Sequence, residues 1–127
     1  MANILVLDDV PDAVSLIERI LREKGHRVFG FTDEEEAVAC ARQHHIDLAV
    51  LDIKLKKMSG LEVLEELKGI APAIRVMMMT AYPNLESVRE AVRLGADDYC
   101  VKPLEVDELE EKVAAVLDRI PKSGESA

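Results

Sequence analysis

Tryptophan is missing from this 127-residue chain and aromatic residues make up only 3% of it, so aliphatic side chains must fill the core. That favours layered packing of helices on a sheet. Cysteine is scarce too. The two present, Cys40 and Cys100, lack the spacing of a metal or redox motif and read as small buried thiols of a cytoplasmic protein. Positive charge is outnumbered, with 16 Lys and Arg against 25 Asp and Glu and a net charge of −9. A direct nucleic-acid or anionic-membrane partner is thereby disfavoured, because phosphate binding needs clustered cations. No apolar run approaches the ~18 residues of a membrane span. The stretch from Met1 to Leu7 carries neither the basic region nor the cleavage site of a signal peptide. No GxxxxGK[ST] occurs, which removes a P-loop enzyme.

What is present is an apolar pattern that keeps changing period. "NILVLD" (3–8), "HRVFGF" (26–31), "DLAVLD" (47–52), "IRVMMM" (74–79) and "DYCV" (98–101) are short, nearly continuous runs that predict strands buried on both faces. Helical patterns lie between them. Pro11 opens the first, Val14, Ile17, Ile20 and Leu21 share its face, and Gly25 stops it. Thr32 with Glu35, and Ser59 with Glu62, have capping-box spacing ahead of the second and third. The run "DEEE" (33–36) reads as a helix start complementing its dipole. Leu85, Val88 and Val92 line the fourth helix; Val106, Leu109, Val113, Val116 and Ile120 line the last, which Pro121 ends. Strand–helix alternation predicts a three-layer, doubly wound (βα)5 flavodoxin-like α/β fold with a five-stranded parallel sheet in the order 2-1-3-4-5. One domain is expected over residues 1–120, with 121–127 as a tail or the start of a linker.

Polar residues close the strands. Asp8 and Asp9 follow the first, Asp52 ends the third, Thr80 the fourth, and Lys102-Pro103 follows the fifth. Each alone has an ordinary explanation: a helix cap, a β-branched strand end, a solvated charge. Together they fall on one edge of a parallel sheet, where strand ends converge beside the switch point. Capping gives no reason to set carboxylates on adjacent strands, where they repel. Such a cluster wants a cation, and oxygen donors with room for water suit Mg²⁺ or Mn²⁺.

Four blocks in register, "LVLDD", "LAVLDIKLKKMSG", "VMMMTA" and "DDYCVKP", resemble the receiver domain of response regulators, over residues 3 to about 120. The resemblance implies a CheY-like phosphoacceptor of two-component or phosphorelay signalling. Asp52 would be the phosphorylated residue. Asp9, Asp52 and the Lys54 backbone carbonyl would ligate the metal, with Asp8 acting mainly through bound water. Thr80 and Lys102 would hold the phosphoryl oxygens, Lys102-Pro103 would be a cis bond, and Tyr99 the aromatic switch. Lys54 and Tyr82, two places after the acceptor Asp and after the Thr, would flank the path of a hydrolytic water and set phosphoryl lifetime. The donor would be a histidine kinase or a histidine phosphotransfer protein, and an effector domain could follow this segment. The domain would assist its own phosphorylation rather than work as an enzyme on a separate substrate.

One departure stands out: Lys56 replaces the loop proline usual in the family, which changes loop stiffness. Lys54, Lys56 and Lys57 otherwise divide between a solvated loop face and a role at the site. Two rivals remain open to test. A pseudo-receiver would dock a partner without phosphorylation. A haloacid-dehalogenase-type phosphatase also uses a strand-end Asp, but wants a second Asp two residues on, where Lys54 stands.

Overall fold

The structure, a computed structural model, describes residues 1–119. Five strands, β1 (Asn3–Leu7), β2 (Arg27–Phe31), β3 (Leu48–Asp52), β4 (Arg75–Thr80) and β5 (Asp98–Val101), alternate with five helices. These are α1 (Pro11–Glu23), α2 (Glu34–Gln43), α3 (Gly60–Ile70), α4 (Leu85–Arg93) and α5 (Val106–Leu117). All pairings are parallel and the sheet order is β2-β1-β3-β4-β5, as the alternation predicts.

The period-2 geometry of a strand sorts the apolar runs into two cores. Leu5, Leu7, Ala49, Leu51, Val76 and Met78 face one side, where α2 and α3 pack through Ala37, Val63, Leu64 and Leu67. Ile4, Val6, Leu48, Val50, Met77 and Met79 face the other, against Ile17 and Leu21 of α1 and Leu109, Val113 and Val116 of α5. β3 is buried at every position, Asp52 included.

Local signals place the helices. Pro11 occupies the first turn of α1, where its missing N–H costs nothing, and Gly25 leaves the helix at φ 89°. Ser59 caps α3, accepting from the Leu61 and Glu62 N–H groups. Gly60 lies so close to β3 that a Cβ there would strike the Asp52 carbonyl oxygen. Three expectations shift. The cap of α2 is Asp33, which accepts from Glu36 N–H, rather than Thr32; both types cap well, and the chain turns one residue later. In α4 only Ala91 is buried, while Leu85 and Val92 are exposed, so the apolar stripe is rotated away from the sheet. Val106 of α5 is likewise exposed; Ile120 and Pro121 lie outside the described residues. Among the described residues no helix is long and apolar enough to cross a membrane.

Candidate phosphoacceptor site

The crossover order splits the chain at β1 and β3, the neighbours from which connections depart to opposite faces. Beyond their carboxyl ends the five strand-end residues meet. Asp8, Asp9 and Asp52 each offer a carboxylate oxygen, and these oxygens lie within 4.8 Å of one another. Lys102 Nζ donates to Asp8 Oδ2 at 2.6 Å and to Asp52 Oδ2 at 3.0 Å, bridging β1 and β3 from the far side of β4. The Lys102–Pro103 peptide is cis. Thr80 is buried at the end of β4 and its Oγ1 accepts from Tyr82 N–H. Asp9, Asp52, Lys54, Thr80, Tyr82 and Lys102 line one open cleft.

Burial sets the electrostatics. Asp8 is fully buried and Asp52 nearly so. Burial pushes the Asp52 carboxyl above its usual range, the Lys102 hydrogen bond opposes this, and the Asp8 charge adds to the rise. For Lys102 burial works against the ammonium, but hydrogen bonds to Asp8 and Asp52 outweigh it and hold the group above the ordinary lysine value. Among the described residues Asp9 has no ion-pair partner, so the cluster keeps uncompensated negative charge. All-oxygen donors with one free carboxylate facing solvent fit a hard divalent cation. Asp52 Oδ1 accepts from Lys54 N–H at 3.3 Å, which folds the start of the next loop over the carboxylate.

The family model of the response regulator receiver domain matches residues 4–114. The chain belongs to this family. As a receiver domain it is 34% identical to the transcriptional regulatory protein ZraR of Salmonella typhimurium over 122 residues, 96% of this chain but 28% of ZraR. The chain thus spans about a quarter of that relative. Among solved structures, a CheY-like receiver domain from Methanospirillum hungatei JF-1 superposes with a TM-score of 0.92 at 32% identity, covering 98% of this chain and 99% of the other. The response regulator TrrA of Thermotoga maritima, in complex with Mg²⁺-BeF, gives 0.82 at 34% identity, covering 91% and 99%.

Of the remaining site candidates Lys54 and Tyr82 line this cleft, whereas Tyr99 lies outside it beside Val88 and Ala91 of α4. Lys54 Nζ lies 5.7 Å from the centroid of the Tyr82 ring. Tyr99 is half-buried beside the core, with Lys112 Nζ 5.7 Å from its ring centroid and bonded to its carbonyl. The lysine question divides three ways. Lys54 meets Tyr82, Lys57 Nζ pairs with Asp33 at 2.6 Å, and Lys56 is solvated. Sequence reasoning missed Glu34. It is 1% exposed, and its Oε2 accepts from the backbone N–H of Lys57 at 2.6 Å and of Met58 at 3.1 Å. Its one visible signal, membership of an acidic helix start, pointed to the helix dipole instead.

Proposed function

We propose that this receiver domain takes a phosphoryl group from the phosphohistidine of a histidine kinase or phosphotransfer protein onto Asp52. The observation that carries the reading is the convergence of Asp8, Asp9 and Asp52, with Lys102 bridging two of them. A carboxylate oxygen of Asp52 forms the new P–O bond as the donor's P–N bond breaks, and the leaving imidazole takes up a proton. Lys102 already touches the attacking carboxylate and follows the charge onto the phosphoryl oxygens, where the Thr80 hydroxyl donates a further hydrogen bond. Asp8 holds Lys102 in place. Asp9, Asp52 and the Lys54 carbonyl would hold Mg²⁺, with Asp8 acting through bound water. When bound, the metal neutralises charge on the transferring oxygens. The Mg²⁺-BeF complex of TrrA supports this assignment by likeness.

Phosphorylation would draw Thr80 inward and open space for Tyr99, remodelling the face formed by α4, β5 and α5. An effector domain following this segment, or a further phosphotransfer partner, would read that face. Incubation with acetyl phosphate and Mg²⁺, followed by intact mass, is the test. A stable acylphosphate on Asp52 supports the proposal. Steady phosphate release would mark a phosphatase, and no reaction a phosphorylation-independent interaction module.

A further inference from the structure

The loop from Ile53 to Ser59 carries the Lys54 carbonyl, and its two ends are tied by different means. At its start Ile53 N–H bonds to Met79 O at 2.9 Å, and Ile53 O accepts from Gly60 N–H at 2.7 Å. At its far end the ties come from another element altogether. Glu34, the first residue of α2, accepts from both Lys57 and Met58 N–H through a single buried carboxylate oxygen. Asp33 beside it pairs with the Lys57 ammonium while capping its own helix. Between the two sets of anchors run Lys54, whose N–H donates to Asp52 Oδ1 at 3.3 Å, and then Leu55 and Lys56.

We propose that Glu34 is a positioning residue for the metal and phosphoryl site: by clamping Lys57 and Met58 it fixes the loop geometry that presents the Lys54 carbonyl. The inference rests on the phosphoacceptor reading above. Its physical basis is the cost of abandoning buried groups. Removing the carboxylate strands two N–H donors at the edge of the core, and the cheapest relief is for the loop to leave and find water. The clamp also supplies stiffness that this loop lacks covalently, because Lys56 leaves φ free where a proline would fix it. No hydrogen bond among the described residues uses the Lys56 N–H, and no residue there has positive φ, so a proline would forfeit no bond and replace no left-handed residue.

The test compares wild type with Glu34→Ala, Glu34→Gln, Lys56→Pro and the Glu34→Ala/Lys56→Pro pair. Two quantities are measured: amide hydrogen exchange in EDTA-treated protein, and Mg²⁺ affinity by titration. In Glu34→Ala, exchange at Lys57 and Met58 should rise about tenfold or more while the β3 amide of Val50 is unchanged, the signature of local rather than global opening. Mg²⁺ affinity should fall about tenfold, the low end of the loss expected when a supporting contact of a ligand is removed. Glu34→Gln keeps an acceptor oxygen but loses the charge. Its affinity should stay within about twofold of wild type, which separates clamping from long-range attraction. Lys56→Pro should recover at least half of the lost affinity in the Glu34→Ala chain and change little in wild type.

Three results overturn the proposal: exchange that rises equally at Val50, loop amides that loosen with Mg²⁺ affinity unchanged, or a proline that recovers nothing. A wild-type chain that binds no Mg²⁺ would sink the phosphoacceptor reading instead. The exchange rates, taken without metal, would still decide whether Glu34 holds the loop.

Discussion

The two halves of the sheet's carboxyl edge are built to different standards. Around β3 the chain is buried at every residue, α3 seats Gly60, Val63, Leu64 and Leu67 in the core, and the following loop is tied to β4 and α2. Around β5 the strand is short, only Cys100 is buried in it, and α4 buries a single alanine while Leu85 and Val92 are 64% and 66% exposed. Tyr82, on the loop entering α4, is 75% exposed. Reacting groups need a fixed geometry, whereas a surface that changes shape must have little packing to lose. The acidic cleft lies where these two halves meet: its carboxylates come from the rigid half, and Thr80 and Lys102 from the edge of the other.

The largest effect expected is on chemistry in the rigid half. Asp9→Ala should lower Mg²⁺-dependent phosphorylation about 100-fold or more, the scale of losing a principal electrostatic stabiliser of transferring charge. Acetyl phosphate labelling across a Mg²⁺ titration reads it. Equal labelling and equal metal binding in both proteins would remove Asp9 from the site.

Stability should divide along the same line. Leu64 is fully buried in α3, and Leu64→Ala should cost about 2–4 kcal/mol from lost transfer energy and the cavity left behind. Val92 presents the same chemistry to solvent, so Val92→Ala should stay within about 0.5 kcal/mol. Urea denaturation of the two variants measures the contrast. Comparable losses would mean that α4 is packed as firmly as α3.

That contrast also marks where the sequence was readable. The strands followed from near-continuous apolar runs, because burial on both faces leaves little else, and the order from the doubly wound topology that strand–helix alternation favours. The convergence of the candidate site was readable because carboxylates, a hydroxyl and an ammonium ended strands that were otherwise wholly apolar, a conflict between local polarity and burial of the kind expected at functional positions. α4 misled because the spacing of Leu85, Val88 and Val92 shows that they share a face, not that the face looks inward. Glu34 was invisible for another reason. Its partners are backbone N–H groups 23 and 24 residues away, and a backbone donor has no signature in the sequence.

Without metal the rigid half should be under electrostatic load. Asp52 has its carboxyl raised by burial, opposed by Lys102 and reinforced by Asp8, so the fold binds that proton more tightly than the unfolded chain does. Its contribution is fully present below the ordinary carboxylate range and is lost as pH rises through the raised folded value. In EDTA at neutral pH, Asp52→Asn should therefore raise Tm. The gain should shrink as pH falls toward the carboxylate range. Adding Mg²⁺ should raise the Tm of wild type more than that of the variant. A variant less stable than wild type at pH 7 would show that Lys102 overcompensates the buried charge.

The smallest effect lies on the seam between the halves, and it concerns how long the phosphoryl group survives. Lys54 belongs to the clamped loop and Tyr82 to the exposed approach to α4; the ammonium stands 5.7 Å from the ring centroid, and both line the cleft. Hydrolysis of the acylphosphate needs a water in line with the Asp52–phosphorus bond. Neither side chain carries a carboxylate or amide to orient one, and their bulk would obstruct its path. The pair itself is worth about 0.5–1 kcal/mol at an exposed site, which corresponds to about two- to fivefold in rate if opening it admits the water. Lys54→Asn and Tyr82→Ala should each speed phosphate loss by that factor. The double variant should be little faster than either, because both substitutions open the same gate. Decay of the purified acylphosphate, followed by intact mass, is the measurement. Unchanged decay in both single variants would mean that the side chains turn to solvent once Asp52 is phosphorylated, and that the lifetime is set elsewhere.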